Sequence, residues 1–324
     1  MMRGKLIVTV IFSAFVLFMF CAGLTFAQPY PDSSKTITII AIVAAGGTSD
    51  MQIRAIGVQL SKHLGGVRIL VENDPGASGK IAYEKAYKAK PDGYTLLNYN
   101  LPAPIITELV EPSVRYKTAD FVPIYAISTL PNVVVVNSET WKTIDEFVQE
   151  GQKRTVSIGT TGNKTANYLQ AVAFADAVKI KANFVPFGGG AESTQTLAGK
   201  HIDAVVTPVL TAFPLVKAGK LRPLMVLTNE PDDTYPGVPL SKDSKWEIAT
   251  FPLVGTYVAP PNFPADRVKI LEDAFAKALK EPAFVEWTKK VNLDITPMNA
   301  AKVRTFTNDA YKNADKYKSY FEKQ

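Results

Sequence analysis

A chain of 324 residues, 47% hydrophobic and 20% charged, is long enough for one large domain or two lobes, and its lone cysteine excludes a disulfide framework. Its formal charge of +6 arises from 36 basic and 30 acidic residues scattered without a basic block, which argues against nucleic acid as a partner. Such a mild positive field favours anionic ligands only weakly.

The first residues read as a secretory signal. Arg3 and Lys5 form a short basic region, residues 6–20 run apolar, and Leu24-Thr25-Phe26-Ala27 ends in the small residue that a signal peptidase reads. The apolar stretch is short for about 30 Å of hydrocarbon, and a cleavage-like site follows it directly. Cleavage after Ala27 is therefore expected, with a periplasmic location for the rest. Cys21 lies inside the signal, preceded by Phe20 where a lipoprotein cysteine needs a small residue, so the mature chain is expected to lack cysteine and thiolate chemistry.

Beyond Tyr30-Pro31, residues 37–43 form an isoleucine-rich run expected of a strand buried on both faces. It stops at Ala44-Ala45-Gly46-Gly47-Thr48-Ser49-Asp50. Ile53, Ile56, Leu60 and Leu64 then recur at helical spacing until Gly65-Gly66. A strand at 67–71, a turn at Asp74-Pro75-Gly76, a helix at 81–89, a turn at Pro91-Asp92-Gly93 and a strand at 94–97 follow. This alternation is the signature of a parallel α/β sheet.

A second set starts at 133–136 (strand) and continues with a helix at 144–152 and a strand at 155–159. The loop Thr160-Thr161-Gly162-Asn163-Lys164-Thr165 opens a helix at 166–178. Strand 182–185, the loop Gly188-Gly189-Gly190, helix 191–198, strand 202–207, helix 210–218 and strand 223–227 complete it. After polar, proline-rich sequence, 253–258 reads as a strand returning to the first set. Helices are expected at 265–280, 283–291 and 300–321.

Three loops stand out because each follows a strand's carboxyl end, where open α/β sheets bind ligands. Glycines let a backbone turn sharply and let a ligand approach its amides. A helix start adds unpartnered N–H groups and a dipole favouring negative charge. Gly46-Gly47-Thr48-Ser49-Asp50 fits this, with Ser49 or Asp50 available as an ordinary cap. It lacks the Gly-Lys-Ser/Thr of a P-loop and the third glycine of a dinucleotide fingerprint. The loop 160–165 adds hydroxyl and amide groups able to donate to a carboxylate, and Gly188-Gly189-Gly190 offers a third set of amides.

Catalytic options are thin. His63 and His201 sit at element ends and read as surface or structural; no Gly-x-Ser-x-Gly elbow and no metal-ligand histidine spacing is present. Neither a catalytic residue nor a metal or other cofactor is expected. Asp50 and Asp92 read as cap or turn residues and Asp203 as solvent-facing. Tyr94, Tyr99, Phe187 and Tyr257 lie where they could line a pocket.

With these loops in view, the chain resembles the Bug-type extracytoplasmic receptors that serve tripartite tricarboxylate transporters. The match runs in order through Ala44-Ala45-Gly46-Gly47-Thr48-Ser49-Asp50, Val71-Glu72-Asn73-Asp74-Pro75-Gly76-Ala77-Ser78-Gly79 and Pro91-Asp92-Gly93-Tyr94-Thr95-Leu96-Leu97. It continues through Gly162-Asn163-Lys164-Thr165, Val185-Pro186-Phe187 with Gly189-Gly190-Ala191, Ala218-Gly219-Lys220-Leu221-Arg222 and Gly237-Val238-Pro239. The resemblance implies an α/β fold of two-lobed periplasmic-binding-protein type (Venus-flytrap, type II-like). Lobe 1 would be 28–128 with 251–324, and lobe 2 would be 129–250. It also implies a monomeric binding protein, not an enzyme, that takes a small organic anion, a carboxylate, to membrane permease subunits. A sensor acting on a histidine kinase and a hydrolytic enzyme using the same cleft are the alternatives.

By the same resemblance, Ala45, Gly46, Gly47, Thr48 and Ser49 would bind from lobe 1, with Asn98 and Tyr99 of the 98–100 loop nearby. Thr161, Asn163, Thr165, Gly189 and Thr207 would close from lobe 2. The chain departs from the family pattern at Ile42-Val43, where proline and an aromatic are frequent. Lys164 replaces a common glycine, Ala166 a common proline, Tyr168 a common histidine, and Thr207-Pro208 a frequent Asp-Asn. These departures bear on which solute fits.

Overall fold

In a computed structural model describing residues 30–322 apart from 44, 47, 163, 164 and 292, the isoleucine run forms β1 (Thr36–Ala41). Ile37, Ile39 and Ile40 are buried there on alternate faces, as a strand covered on both sides requires. The segment expected to be a signal, its expected cleavage site and Cys21 lie outside the described residues. The chain continues through α1 (Thr48–His63), β2 (Arg68–Asn73), α2 (Lys80–Tyr87), β3 (Thr95–Leu101), α3 (Ala103–Val110) and β4 (Val122–Leu130). Then come β5 (Asn132–Asn137), α4 (Ile144–Lys153), β6 (Val156–Thr161), α5 (Ala166–Val178), β7 (Ala182–Phe187), α6 (Gly190–Ala198), β8 (Ala204–Pro208), α7 (Val209–Lys217) and β9 (Leu221–Leu227). The last part is β10 (Leu253–Ala259), α8 (Ala265–Ala278), α9 (Pro282–Lys290), β11 (Met298–Asn299), α10 (Ala300–Lys316) and α11 (Lys318–Glu322).

Two sheets result, in the order β11-β4-β10-β3-β1-β2 and β7-β6-β8-β5-β9. The architecture is the two-lobed α/β type expected from the sequence. Three elements escape the sequence reading: α3, only eight residues long with Pro104 in its first turn, β4, which carries Pro123, and the two-residue β11. The 98–100 segment is also strand rather than loop, because β10 extends β3 by pairing Thr256 with Tyr99 and Val254 with Leu101.

On one face of the first sheet, Ile53, Ile56 and Leu60 of α1 pack with Ile37, Ile39, Leu96, Tyr257 and Phe275. This is the periodic stripe read from the sequence. The other face gathers Tyr83, Leu97, Tyr99, Leu101, Ile105 and Phe121. That second cluster also contains Ala166, Tyr168, Leu169, Val172 and Ala173 of α5, a helix that follows the other lobe's β6. Ala171, Phe174 and Val178 of α5 belong instead to the second sheet's core, with Val134, Phe147 and Ile158. The sequence explains this double duty. Residues 166–178 read A-N-Y-L-Q-A-V-A-F-A-D-A-V, apolar around nearly the whole circumference, and such a helix must be covered on all sides.

Candidate functional site

Register decides which loops meet. β1, β2 and β3 run parallel, so their carboxyl ends share one edge of the first sheet. Antiparallel β10 places Val254 opposite Leu101 and Leu253 opposite Leu130 of β4, so both crossings between sheets leave from that same edge. In the second sheet Asn132 pairs with Pro208 and with Leu227, so the crossings arrive at the edge carrying the ends of β6, β7 and β8. Only Pro131 separates β4 from β5. The loops after β1–β3 therefore confront those after β6–β8.

In the first-lobe loop, Gly46 adopts φ 85°, a left-handed conformation that suits glycine. Its amide donates to Asp50 Oδ2 at 2.9 Å, and Arg54 Nε donates to the same oxygen at 2.9 Å. Asn73 Nδ2 donates to Asp50 Oδ1 at 2.8 Å and to Val43 O at 3.0 Å, while its own Oδ1 accepts from Arg54 Nη2. The Asp50 side chain is 3% exposed, so this carboxylate is the buried hub that holds the loop. Ala45 and Gly46 are exposed above it and Ser49 is half-buried.

The Arg54 guanidinium, with the Gly46 amide and the Asn73 amide group, outweighs burial and lowers the Asp50 pKa to about 2. A carboxyl depressed below its unfolded value of 3.8 adds stability above that value and forfeits it as pH falls through the folded one. Unfolding free energy is thus expected to drop by roughly 2 kcal/mol from this group between pH 5 and 2. Melting curves over that range should show a shallower acid slope for Asp50→Asn than for the wild type, and parallel slopes would refute the assignment.

Beneath α1, adjacent residues of β3 part company. Asn98 is buried and donates from Nδ2 to Thr256 O at 3.2 Å. Tyr99, 1% exposed, points into the opposite cluster, where its ring meets Tyr83 and Phe121 edge-on. The structure therefore does not bring the Tyr99 side chain to the Asn98 face. Residues not singled out from the sequence lie there instead: Ser128 Oγ accepts from Gln52 Nε2 at 3.4 Å. A Cβ on Gly255 would stand 2.9 Å from Ser128 Oγ and 3.8 Å from Asn100 Oδ1, so these groups converge over a glycine.

In the second lobe, Gly162 takes φ 74° and donates to Phe187 O at 2.8 Å, tying the 160–165 loop to the end of β7. Thr165 is the cap of α5: its hydroxyl accepts from the Tyr168 amide at 3.2 Å and donates to Thr161 O at 2.7 Å. Gly189, extended, precedes α6 with open space where a Cβ would lie. Thr207 is 0% exposed, and its Oγ1 has no hydrogen-bond partner among the described residues. It lies 3.4 Å from the position of a Cβ on Gly190, directly behind the start of α6. Gly188 donates its amide to Glu192 Oε2 at 2.9 Å. Of the residues singled out from the sequence, Gly47 and Asn163 lie outside the described residues.

A buried polar network joins this region to the crossings. Asn167 Nδ2 donates to Asn132 Oδ1 at 2.6 Å, and Asn132 Nδ2 to Phe251 O at 3.0 Å. Gln170 Oε1 accepts from Phe251 N at 2.6 Å while its Nε2 donates to Ala249 O at 3.0 Å. The sequence holds one hint of this, a glutamine inside an otherwise apolar helix face.

Other groups considered for chemistry have structural roles. His63 pairs with Glu281 at 2.9 Å, and His201 packs against Gly199. Asp203, expected to face solvent, instead accepts from Arg154, from the Ser157 amide and from the Ser157 hydroxyl. Tyr257 is wholly within the core and Tyr94 packs edge-on against Tyr30. Among the described residues no group of three or more His, Cys, Asp or Glu comes together as a metal site would need.

Known proteins share this plan. A family model for tripartite tricarboxylate transporter family receptors matches residues 52–318. A UPF0065 protein encoded in the TAR-I ttuE-ttuC' intergenic region of Agrobacterium vitis is 31% identical over 261 residues, 79% of this chain and 74% of that one. A TctC solute binding protein from Polaromonas superposes with a TM-score of 0.81 at 26% identity, over 91% of this chain and all of the other (100%). An R. palustris protein with adipate superposes with a TM-score of 0.72 at 22% identity, over 91% of this chain and 99% of its own, a likeness of fold.

Proposed function

The chain belongs to the tripartite tricarboxylate transporter receptor family, and from that premise we propose that it captures a small organic carboxylate between its lobes and hands it to the permease subunits of such a transporter. The observation that carries the ligand class is the confrontation of glycine loops and helix starts across the two sheets. Amides at such places replace the water around a carboxylate without a dedicated cation. Ala45, Gly46, Gly47, Thr48 and Ser49, with Asn98, would hold the ligand from lobe 1. Thr161, Asn163, Thr165, Gly189 and Thr207 would close over it, Thr165 through its backbone because its hydroxyl is engaged as a cap. Tyr99 is left out of this set because its ring serves the core.

In this reading lobe 1 comprises 28–128 and 251–324, lobe 2 comprises 129–250, and closure about the crossings excludes water. Export by residues 1–27, cleavage after Ala27 and a monomeric periplasmic receptor complete it. The adipate in the R. palustris neighbour supports including dicarboxylates among the first probes.

The test uses the chain from residue 28, melted with mono-, di- and tricarboxylates at millimolar concentration while each acid is followed by mass spectrometry. A cognate acid at about 1,000 times its Kd adds roughly 4 kcal/mol to stability, a shift of several degrees. No shift with any acid would sink the carboxylate reading, and conversion of a stabilising acid to product would replace the receptor with an enzyme.

A further inference from the structure

One rung of the first sheet is built unlike its neighbours. Gly255 of β10 pairs with Asn100 of β3 on one side and with Ser128 of β4 on the other, so all three positions belong to the same face. That face is the one under α1, since Gln52 of this helix donates from Nε2 to Ser128 Oγ at 3.4 Å. The middle position has no side chain. Gly255 is not among the left-handed glycines, so its backbone does not call for glycine. The space does, because a Cβ there would stand 2.9 Å from Ser128 Oγ. A glycine inside a strand weakens it and often marks a place that another group approaches closely. The rung lies at the cleft edge: Asn100, Ser128 and Gly255 stand beside the strand ends Leu101, Leu130 and Leu253 that make up that edge.

The groups around this gap are neutral, and much of their hydrogen-bonding capacity is unspent. The half-buried Asn100 side chain has no hydrogen-bond partner among the described residues. Ser128, 4% exposed, accepts one long bond from Gln52 and has its own proton to give. Gln52 Oε1 is also without a partner among the described residues. No ionisable side chain takes part. Arg54, the next cation along α1, is engaged by Asp50 and Asn73, and Gln52 stands past the first turn, where the helix dipole no longer favours an anion. A carboxylate in the gap would satisfy only the donor ends of these amides and would bring a charge with no cation to meet it. A methylene would leave the polar groups unpaired. A hydroxyl donates to one and accepts from another, and it is small enough to stand where a side chain is missing.

We propose that Asn100, Ser128 and Gln52, gathered over Gly255, form a hydroxyl subsite that selects a hydroxy-substituted carboxylate over its unsubstituted parent. The ligand's carboxylate lies at the 45–49 loop. Ser49 and Gln52 are one turn of α1 apart, roughly 5 Å, so the hydroxyl is carried on a carbon close to that carboxylate. This assignment rests on the carboxylate-receptor reading and narrows it.

The experiment is titration calorimetry on the chain from residue 28 with sets of acids that differ in one substituent, a hydrogen, a hydroxyl or a carboxylate. The first set is propanoate, 2-hydroxypropanoate and methylmalonate. The second is succinate, 2-hydroxysuccinate and ethane-1,1,2-tricarboxylate, and the third is glutarate, 3-hydroxyglutarate and propane-1,2,3-tricarboxylate. In at least one set the wild type is expected to bind the hydroxy acid about tenfold tighter, or more, than the other two members, which leave the polar groups unpaired or bury a charge. Ser128→Ala and Asn100→Ala should each bring the ratio of hydroxy to unsubstituted acid to near one. Gly255→Ala, whose methyl takes the place of the hydroxyl, should do the same. A rung that serves only the fold would lower the melting temperature of these variants and leave the ratio as in the wild type, and that result overturns the proposal. If the hydroxy acid is the tightest binder in no wild-type set, the proposal fails and the receptor reading stands. Absence of binding by every member overturns both.

Discussion

Replacing Asp50 with alanine is expected to lower the unfolding free energy by about 3 kcal/mol and to weaken ligand binding about a hundredfold. The stability loss follows from three donors that converge on one buried carboxylate: the Gly46 amide, Arg54 Nε and Asn73 Nδ2. Removing the acceptor takes from the Gly46 amide, Arg54 Nε and one Asn73 N–H the carboxylate they share, while Arg54 keeps Asn73 Oδ1 and Asn73 keeps Val43 O, so the loss is that of three hydrogen bonds to one buried charge. For a chain of this size the melting temperature should fall by roughly 6 °C. The binding loss follows from the loop itself. Gly46 is held in its left-handed conformation by the bond to Asp50, and without it the amides offered to a ligand must be ordered at the moment of binding. Thermal melts and calorimetric titration with any stabilising carboxylate measure the two effects separately. Lower stability with unchanged affinity would show that this loop does not hold the ligand.

Gln170→Leu is expected to cost about 3 kcal/mol as well, by a different route. The glutamine is 0% exposed and bonds both the amide of Phe251 and the carbonyl of Ala249 on the returning crossing. Leucine fills similar space but leaves a buried N–H and a buried C=O unpaired, each worth roughly 1–3 kcal/mol. The local effect should exceed the global one. Amide exchange at Phe251 is expected to accelerate about a hundredfold while amides of α1 change only with global stability. Equal acceleration at both places would mean that Gln170 supports the fold at large and does not specifically fasten the crossing.

Much of this architecture is legible in the sequence, and the exceptions have identifiable causes. The parallel parts of the two mixed sheets follow from the isoleucines of β1, the stripe of α1 and the alternation of apolar runs with glycine loops; the antiparallel partners β10 and β5 do not. β4 is harder to see because both its faces are covered, which erases the two-residue alternation, and because Pro123 interrupts it. α3 is too short for a period to show. At the site, the spacing from Gly46 to Asp50 is local and readable, and a cap or turn role for Asp50 is a fair guess. That Asp50 also engages Asn73 depends on the register of β1 with β2, where Ala41 faces Asn73. Ser128 meets Gln52 and shares the space over Gly255 with Asn100 where β4 and β10 shift register beside that glycine, a bulge no short-range pattern announces. Asn98 and Tyr99 separate for a simpler reason: a segment read as loop is strand, and neighbouring strand residues face opposite ways.

Helix α5 carries one further consequence. Because Leu169 and Val172 pack with the first sheet while Phe174 and Val178 pack with the second, neither half can melt without stripping apolar surface from the other. Calorimetry of the ligand-free chain would then trace a single heat-absorption peak, with the two lobes behaving as one cooperative block despite being built as two sheets.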